Sequence, residues 1–290
     1  MNFSRRRFIQ HSLQTAVAVP ALAGLGVATS SSAVAQAADR AQARFRLGQA
    51  SFTFRNFSRA EAIAMTRRAN IDYLCINPRH LPMDSTDAEC AAAAEECRRA
   101  GLHLYACGVV HIPDAEPAQV HNAFRVARAA GMNTIVTVPH PDLLPLIEEK
   151  VKETGIHIAI HNHTSSRPFR SPAEIMERVA SLDRRVGICL DIGNAARLGV
   201  DVVQAIHDCK ERLHDVHLKD ETSADMQGRN CIFGRGALDI PAQMKALLEI
   251  GYDRVAAIEY EDEASDPLPG TMESAGYIRG IMRVLTGARV

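Results

Sequence analysis

The sequence lacks several features that would have named its class at once. It has no CxxC pair, and its seven cysteines are an odd number. That excludes the common paired-thiol redox and zinc motifs and argues against a disulfide framework. Most of Cys75, Cys90, Cys97, Cys107, Cys189, Cys209 and Cys231 fall within apolar runs, where a free thiol behaves as a small hydrophobe. Charge of one sign is also missing: the formal net charge is −1 and the isoelectric point about 6.9. Nothing here attracts nucleic acid or an anionic membrane non-specifically, so a small or neutral ligand is expected. No GxGxxG motif follows the first strand-like run, which weakens a dinucleotide-binding reading. No long, strongly apolar stretch suited to a stop-transfer helix is present either.

What is there begins with a leader. Ser4-Arg5-Arg6-Arg7-Phe8-Ile9 is a twin-arginine pattern, and a moderately apolar run follows from Leu13 to Ala28. Ala33-Val34-Ala35 and Ala35-Gln36-Ala37 then offer small-x-small cleavage sites. This layout predicts an export signal over residues 1–37, periplasmic delivery by the twin-arginine route, and no stable membrane span once it is removed.

From residue 44 onward the chain alternates. Strand-like runs are expected at Arg46–Phe54, Ile71–Asn77, Leu102–Val110, Thr134–Pro139, His157–His163, Val186–Asn194, Leu213–Asp220 and Arg254–Glu261. Amphipathic helical stretches separate them, several opened by cap residues such as Ser58 and Ser171-Pro172. Glycines 101, 131, 155 and 251 stand where a helix stops before the next strand. Strict β–α alternation implies a parallel sheet, and eight units in this length match an α/β fold of one closed (β/α)8 TIM barrel over residues 44–290. An open doubly wound sheet is the alternative.

In such a barrel the chemistry sits at the C-terminal ends of the strands. Four successive strands each carry one imidazole or carboxylate there: His161, Asp191, His217 and Glu259. Such groups are costly in apolar strands unless paired or bound to metal. Their convergence predicts one divalent metal site, and the nitrogen donors favour Mn, Zn or Co over Mg.

These segments carry a resemblance. Ile158–His163, Gly187–Asn194, His217–Asp220, Gly234–Ile240 and Ile258–Glu261 together resemble the xylose-isomerase-like barrel superfamily, in its sugar phosphate isomerase/epimerase branch. The resemblance implies metal ligands Asp191, His217 and Glu259 on the last three of these strands. It also implies a glutamate on the fifth, where this chain has His161. In the epimerases two ligand glutamates form the acid/base pair; here only Glu259 remains. Asn194 replaces a histidine that relatives often carry, and Asn cannot shuttle protons near neutrality.

The expected chemistry is isomerisation or epimerisation of a small-molecule carbohydrate through an enediolate. The catalytic candidates are Glu259 or a nearby His163 or His80 as base, with Lys219 stabilising negative charge. His80 lies in a His-Leu-Pro element like that of exported relatives. His111 and Arg235 are further pocket candidates, and His140 is expected on a surface loop. Elimination from a 3-keto-glycoside is the runner-up reaction. A non-catalytic sugar-binding barrel and a metal-dependent nuclease are weaker readings, and a homo-oligomer is left open.

Overall fold

The computed structural model describes residues 45–165 and 168–287. The expected signal, residues 1–37, lies outside the described residues. Eight parallel strands close into a barrel: β1 (Arg46–Ala50), β2 (Tyr73–Ile76), β3 (His103–Ile112), β4 (Thr134–Pro139), β5 (His157–His161), β6 (Val186–Asp191), β7 (Leu213–Leu218) and β10 (Val255–Ile258). Between the last two, β8 (Asp220–Glu221) and β9 (Asn230–Cys231) form a short antiparallel hairpin. β1 pairs with both β2 and β10, which removes any sheet edge.

The helices form where local chemistry starts and stops them. Ser58, Thr86 and Ser171 each accept from the backbone N–H three residues on, while Glu61, Glu89 and Glu174 reach back to the cap. These reciprocal boxes satisfy helix-start donors that otherwise lack partners. Gly155 ends helix Leu144–Thr154 at φ 74°, a left-handed conformation that a side chain disfavours.

Period-two alternation divides each strand between two cores. Ile158, Ile160, Ile188, Leu190, Val216, Leu218 and Ile258 face outward into the main core under the helices. Inside the barrel, Cys75, Ala106, Val136, Ala159 and Cys189 pack as a separate small-residue cluster with Tyr105 and Val109. Asp215 accepts from the Tyr105 hydroxyl at 3.1 and 3.2 Å within this interior. Ala159, Cys189, Asp215 and Ala257 each lie two residues before a predicted metal ligand. The same alternation therefore aims His161, Asp191, His217 and Glu259 inward, one layer nearer the mouth. All seven cysteines are free, and every one but the half-buried Cys231 is buried.

Several strands stop sooner than the hydrophobic pattern suggests. β1 turns into a 3-10 segment at Ser51–Phe54. β6 ends at Asp191 because its carboxylate accepts from the Asn194 N–H at 2.7 Å and starts helix Ile192–Arg197. After β7 the chain folds into the hairpin, whose hub is Asp220. Its buried carboxylate accepts from the N–H groups of Gly234 (2.8 Å), Gly236 (3.1 Å) and Leu238 (3.3 Å). A Cβ on Gly236 would lie 2.2 Å from Asp220 Oδ1. Gly236→Ala should therefore cost about 1–3 kcal/mol in urea unfolding through overpacking and lost hydrogen bonds.

Candidate metal and substrate site

The register of neighbouring strands sets the site. His161 of β5 lies beside Cys189 of β6, and Asp191 lies beside His217 of β7. Asn162, just past β5, donates to the Asp191 carbonyl at 3.0 Å and accepts from the Asp191 N–H at 2.8 Å. That reciprocal pair fixes the β6 end against β5. Glu259 is anchored through its N–H to the Leu218 carbonyl at 3.0 Å.

The result is a compact buried quartet. One donor atom from each of His161, Asp191, His217 and Glu259 falls within 4.8 Å of all the others. The two imidazoles stand edge to face, 5.0 Å between centroids. His161 Nε2 approaches Asp191 Oδ2 at 3.2 Å, and His217 Nδ1 hydrogen-bonds Glu259 Oε2 at 3.1 Å. Nδ1 of His161 and Nε2 of His217 are buried without a hydrogen-bond partner, and His161 Nε2 and Asp191 Oδ2 meet each other only as an ion-pair contact at 3.2 Å. Unsatisfied buried polar atoms cost roughly 1–3 kcal/mol each, so imidazole nitrogens left this way are suited to a ligand. Two imidazoles and two carboxylates have the donor chemistry and number for a divalent ion of the Zn, Mn or Co kind.

Lys219 enters this quartet from above. Its Nζ lies 3.0 Å from Asp191 Oδ2, 3.0 Å from Glu259 Oε2, and also pairs with Glu261. It makes no pair with Asp220. Burial disfavours the ammonium, but the three carboxylates outweigh it and hold the lysine well above its usual range. Burial likewise pushes the Asp191 and Glu259 carboxyls up, yet Lys219 and the imidazoles leave both below the ordinary carboxylate value. His161 is lowered, chiefly by burial. His217 behaves oppositely: burial lowers it, but Glu259, Asp215 and Asp191 raise it to about 9.

His217 therefore carries a proton at pH 7 in the metal-free protein, and a coordinating imidazole must lose one. Metal uptake at pH 7 should release about one proton, and affinity should fall up to about tenfold for each pH unit below 9. Calorimetry in buffers of different ionisation enthalpy checks this. Uptake with no proton release would contradict the His217 assignment.

Above the quartet opens a cavity of about 750 Å³. Asn77, Arg79 and His111 line it from the β2–β3 side, and His163, Asn194 and Arg197 from beyond β5 and β6. Lys219, Glu221, Arg229 and Asn230 come from the hairpin, and Glu259, Glu261 and Asp262 from beyond β10. His163 sits at the half-buried rim, its ring 6.2 Å from that of His161 and its Nδ1 2.8 Å from Ser165 Oγ.

His80 lies outside the cavity lining, with Nδ1 2.8 Å from Ser51 Oγ and Nε2 3.2 Å from the carbonyls of both Phe54 and Phe57. Two carbonyls facing Nε2 require the proton there, so Nδ1 accepts from the Ser51 hydroxyl. That hydroxyl in turn accepts from the Asn77 N–H at 2.8 Å. His80 thus ties the 3-10 segment to the loop carrying Asn77, and burial lowers its pKa. Arg235 also misses the mouth; its guanidinium pairs with Glu273 at 2.7 and 2.8 Å on the outer helix. His140 caps the turn Pro141–Leu143 and does not line the cavity.

The sequence pattern does not point to Glu221, Arg197, Arg229 or Asn230. Glu221 is only 2% exposed, and its Oε2 has no hydrogen-bond partner. Its other oxygen lies over Gly193, where a Cβ would come within 2.6 Å of Oε1 and 2.9 Å of Lys219 Cβ. The absent side chain at 193 makes the room for both. In the sequence Glu221 is only the second of two acidic residues after His217-Leu218-Lys219, a pattern shared with solvated loops.

With this geometry in view, comparisons place the chain. Residues 38–281 match the model of the xylose isomerase-like TIM barrel family. The chain belongs to that family. A curated relative, the rhizopine catabolism protein MocC of Rhizobium meliloti, is 24% identical over 146 residues. That alignment covers 45% of this chain and 45% of MocC, so the chain spans under half the length of that relative. Among solved structures, the zinc-bound IolI protein superposes with a TM-score of 0.69 at 16% identity, covering 83% of this chain and 99% of its own. The 3-keto-D-glucoside 4-epimerase YcjR of E. coli gives 0.67 at 17% identity, over 82% and 100% of the two chains. At these identities the likeness establishes the shared barrel.

Proposed function

We propose that this family member is a metal-dependent sugar isomerase/epimerase acting on a free or glycosidic carbohydrate. The observation that carries the reading is the buried His161–Asp191–His217–Glu259 quartet at the floor of a cavity of small-molecule size. The zinc of the IolI neighbour and the 3-keto-glucoside of the YcjR neighbour support it by analogy of fold.

An ion held by the quartet would polarise a sugar carbonyl and acidify the adjacent C–H bond. The remaining work falls to the chain itself. Glu259, a carboxylate that Lys219 and His217 already hold ionised before any metal binds, accepts the proton. His163 at the rim relays it toward solvent. Lys219 faces the cavity with its charge preset by buried carboxylates and stabilises negative charge developing on a sugar oxygen. Asn194 can hydrogen-bond a hydroxyl but carries no exchangeable charge.

The second reading is elimination from a 3-keto-glycoside. It is favoured by His161, which leaves Glu259 as the quartet's only glutamate. Metal-loaded protein incubated in D2O with keto-sugars and 3-keto-glycosides, followed by NMR, separates the two. Deuterium at a carbon next to the carbonyl without fragmentation supports the isomerase; release of an aglycone supports the lyase. Neither outcome on any member of the panel would overturn the enzymatic reading.

The twin-arginine pattern at Ser4–Ile9 leads us to propose the periplasm as the place of action. Among the described residues, no helix is long and apolar enough to cross a membrane.

A further inference from the structure

The quartet offers one glutamate where sugar chemistry of this kind uses two proton-transfer groups, one to take a proton and one to return it. A second carboxyl lines the same cavity. Glu221 is held by the hairpin: its N–H donates to Asp220 Oδ1 at 2.9 Å, and its carbonyl accepts from the Ala237 N–H at 2.8 Å. Its carboxyl projects over Gly193 rather than into solvent, with Oε2 unpartnered. Glu221 lines the cavity while only 2% exposed, and a buried acid with an unpartnered oxygen is costly unless something offsets it.

We propose that Glu221 is a second proton-transfer residue of this site, delivering a proton to the sugar from the β7–β8 side of the cavity. This rests on the isomerase/epimerase reading above. In the step, the Glu221 O–H bond breaks and a C–H bond forms at the carbon holding the electron pair left by the first proton transfer. Glu221 is left as a carboxylate; Glu259 holds the proton taken earlier, and exchange with solvent resets both.

The surroundings suit that role. Burial pushes the Glu221 carboxyl up to about 7, and Asp191 adds to the rise. Lys219, Arg197 and the Asn230 amide oppose it. Those two cations, from the β7–β8 connection and helix Ile192–Arg197, stand ready to stabilise the carboxylate once the proton has left.

The test compares wild type, Glu221→Gln and Glu221→Asp, metal-loaded, on the panel sugar that wild type processes fastest. Glu221→Gln should keep metal content and Tm while losing about 10²–10⁴-fold in kcat, together with one limb of the pH profile. Glu221→Asp, which keeps the acid, should recover part of the rate and that limb. A Gln variant within threefold of wild type, or Gln and Asp variants equally slow with metal intact, would overturn the proposal. A readout free of turnover is the 13C carboxyl resonance that vanishes in Glu221→Gln. Titration of that resonance in wild type near pH 7 supports the assignment, and a midpoint in the ordinary carboxylate range of about 4–5 overturns it. Should wild type process no sugar in the panel, the isomerase reading fails, and the titration still judges whether Glu221 holds a proton at working pH.

Discussion

His161→Ala should bind less than a tenth of the metal held by the wild type after gel filtration, and turnover should fall by at least about 10³-fold. The reason lies in the geometry. His161 contributes the only donor from β5, and both of its ring nitrogens are buried without an aligned partner. Removing the imidazole takes away one of four donors and leaves Asp191 facing a cavity. Structural stability should respond much less than to an ordinary core truncation. The lost ring was paying a desolvation cost in the metal-free protein, so metal-free His161→Ala should unfold close to the wild type. Elemental analysis, activity and urea unfolding measured on one preparation distinguish these effects. A variant with full metal and full rate would remove β5 from the site.

The second large effect concerns Lys219. Its ammonium lies within 3.0 Å of carboxylate oxygens from both Asp191 and Glu259, so in the metal-free protein it acts as the local counter-cation. Lys219→Met leaves these buried carboxylates with only the two imidazoles as ionisable partners, beside the Asn194 N–H on Asp191. Breaking one side of a buried ion pair typically costs about 3–5 kcal/mol, and the metal-free variant should lose stability on that scale. Bound metal supplies the missing positive charge. The metal-loaded variant should therefore recover most of the loss, and its metal affinity should exceed that of the wild type because no ammonium competes for the same oxygens. Turnover should still fall by about 10²–10³-fold, since charge stabilisation at the sugar oxygen goes with the lysine. Equal destabilisation with and without metal would show that Lys219 acts through packing only. The pH dependence has a definite sign. Asp191 and Glu259 have folded values below their unfolded ones, so their stabilisation is present above the ordinary carboxylate range and is lost as pH falls below it.

The barrel was legible because periodicity and length are strong signals. Eight apolar runs alternating with capped amphipathic segments leave few topologies, and the closed order of strands follows. The quartet was legible for a related reason. A carboxylate or imidazole two residues beyond a small inward side chain, as His161 follows Ala159 and Asp191 follows Cys189, must share its face. What alternation cannot describe is backbone beyond the strand ends. The pattern around His80 suggests a pocket residue, but the 3-10 turn after β1 wraps its ring in protein groups. Glu221 is not legible in the sequence because its position depends on a two-residue hairpin closed by partners about ten residues away. The vacancy at Gly193 matters in the same way: its meaning appears only when three segments distant in sequence meet over it.

The central claim is that His161, Asp191, His217 and Glu259 hold one divalent ion. Crystals of protein loaded with zinc or manganese, measured on either side of the metal absorption edge, test it most directly. The account predicts a single strong anomalous peak bonded to one atom from each of the four, with Lys219 Nζ displaced from the carboxylate oxygens it contacts here. A peak bonded elsewhere, or no peak within coordination distance of all four, would contradict it.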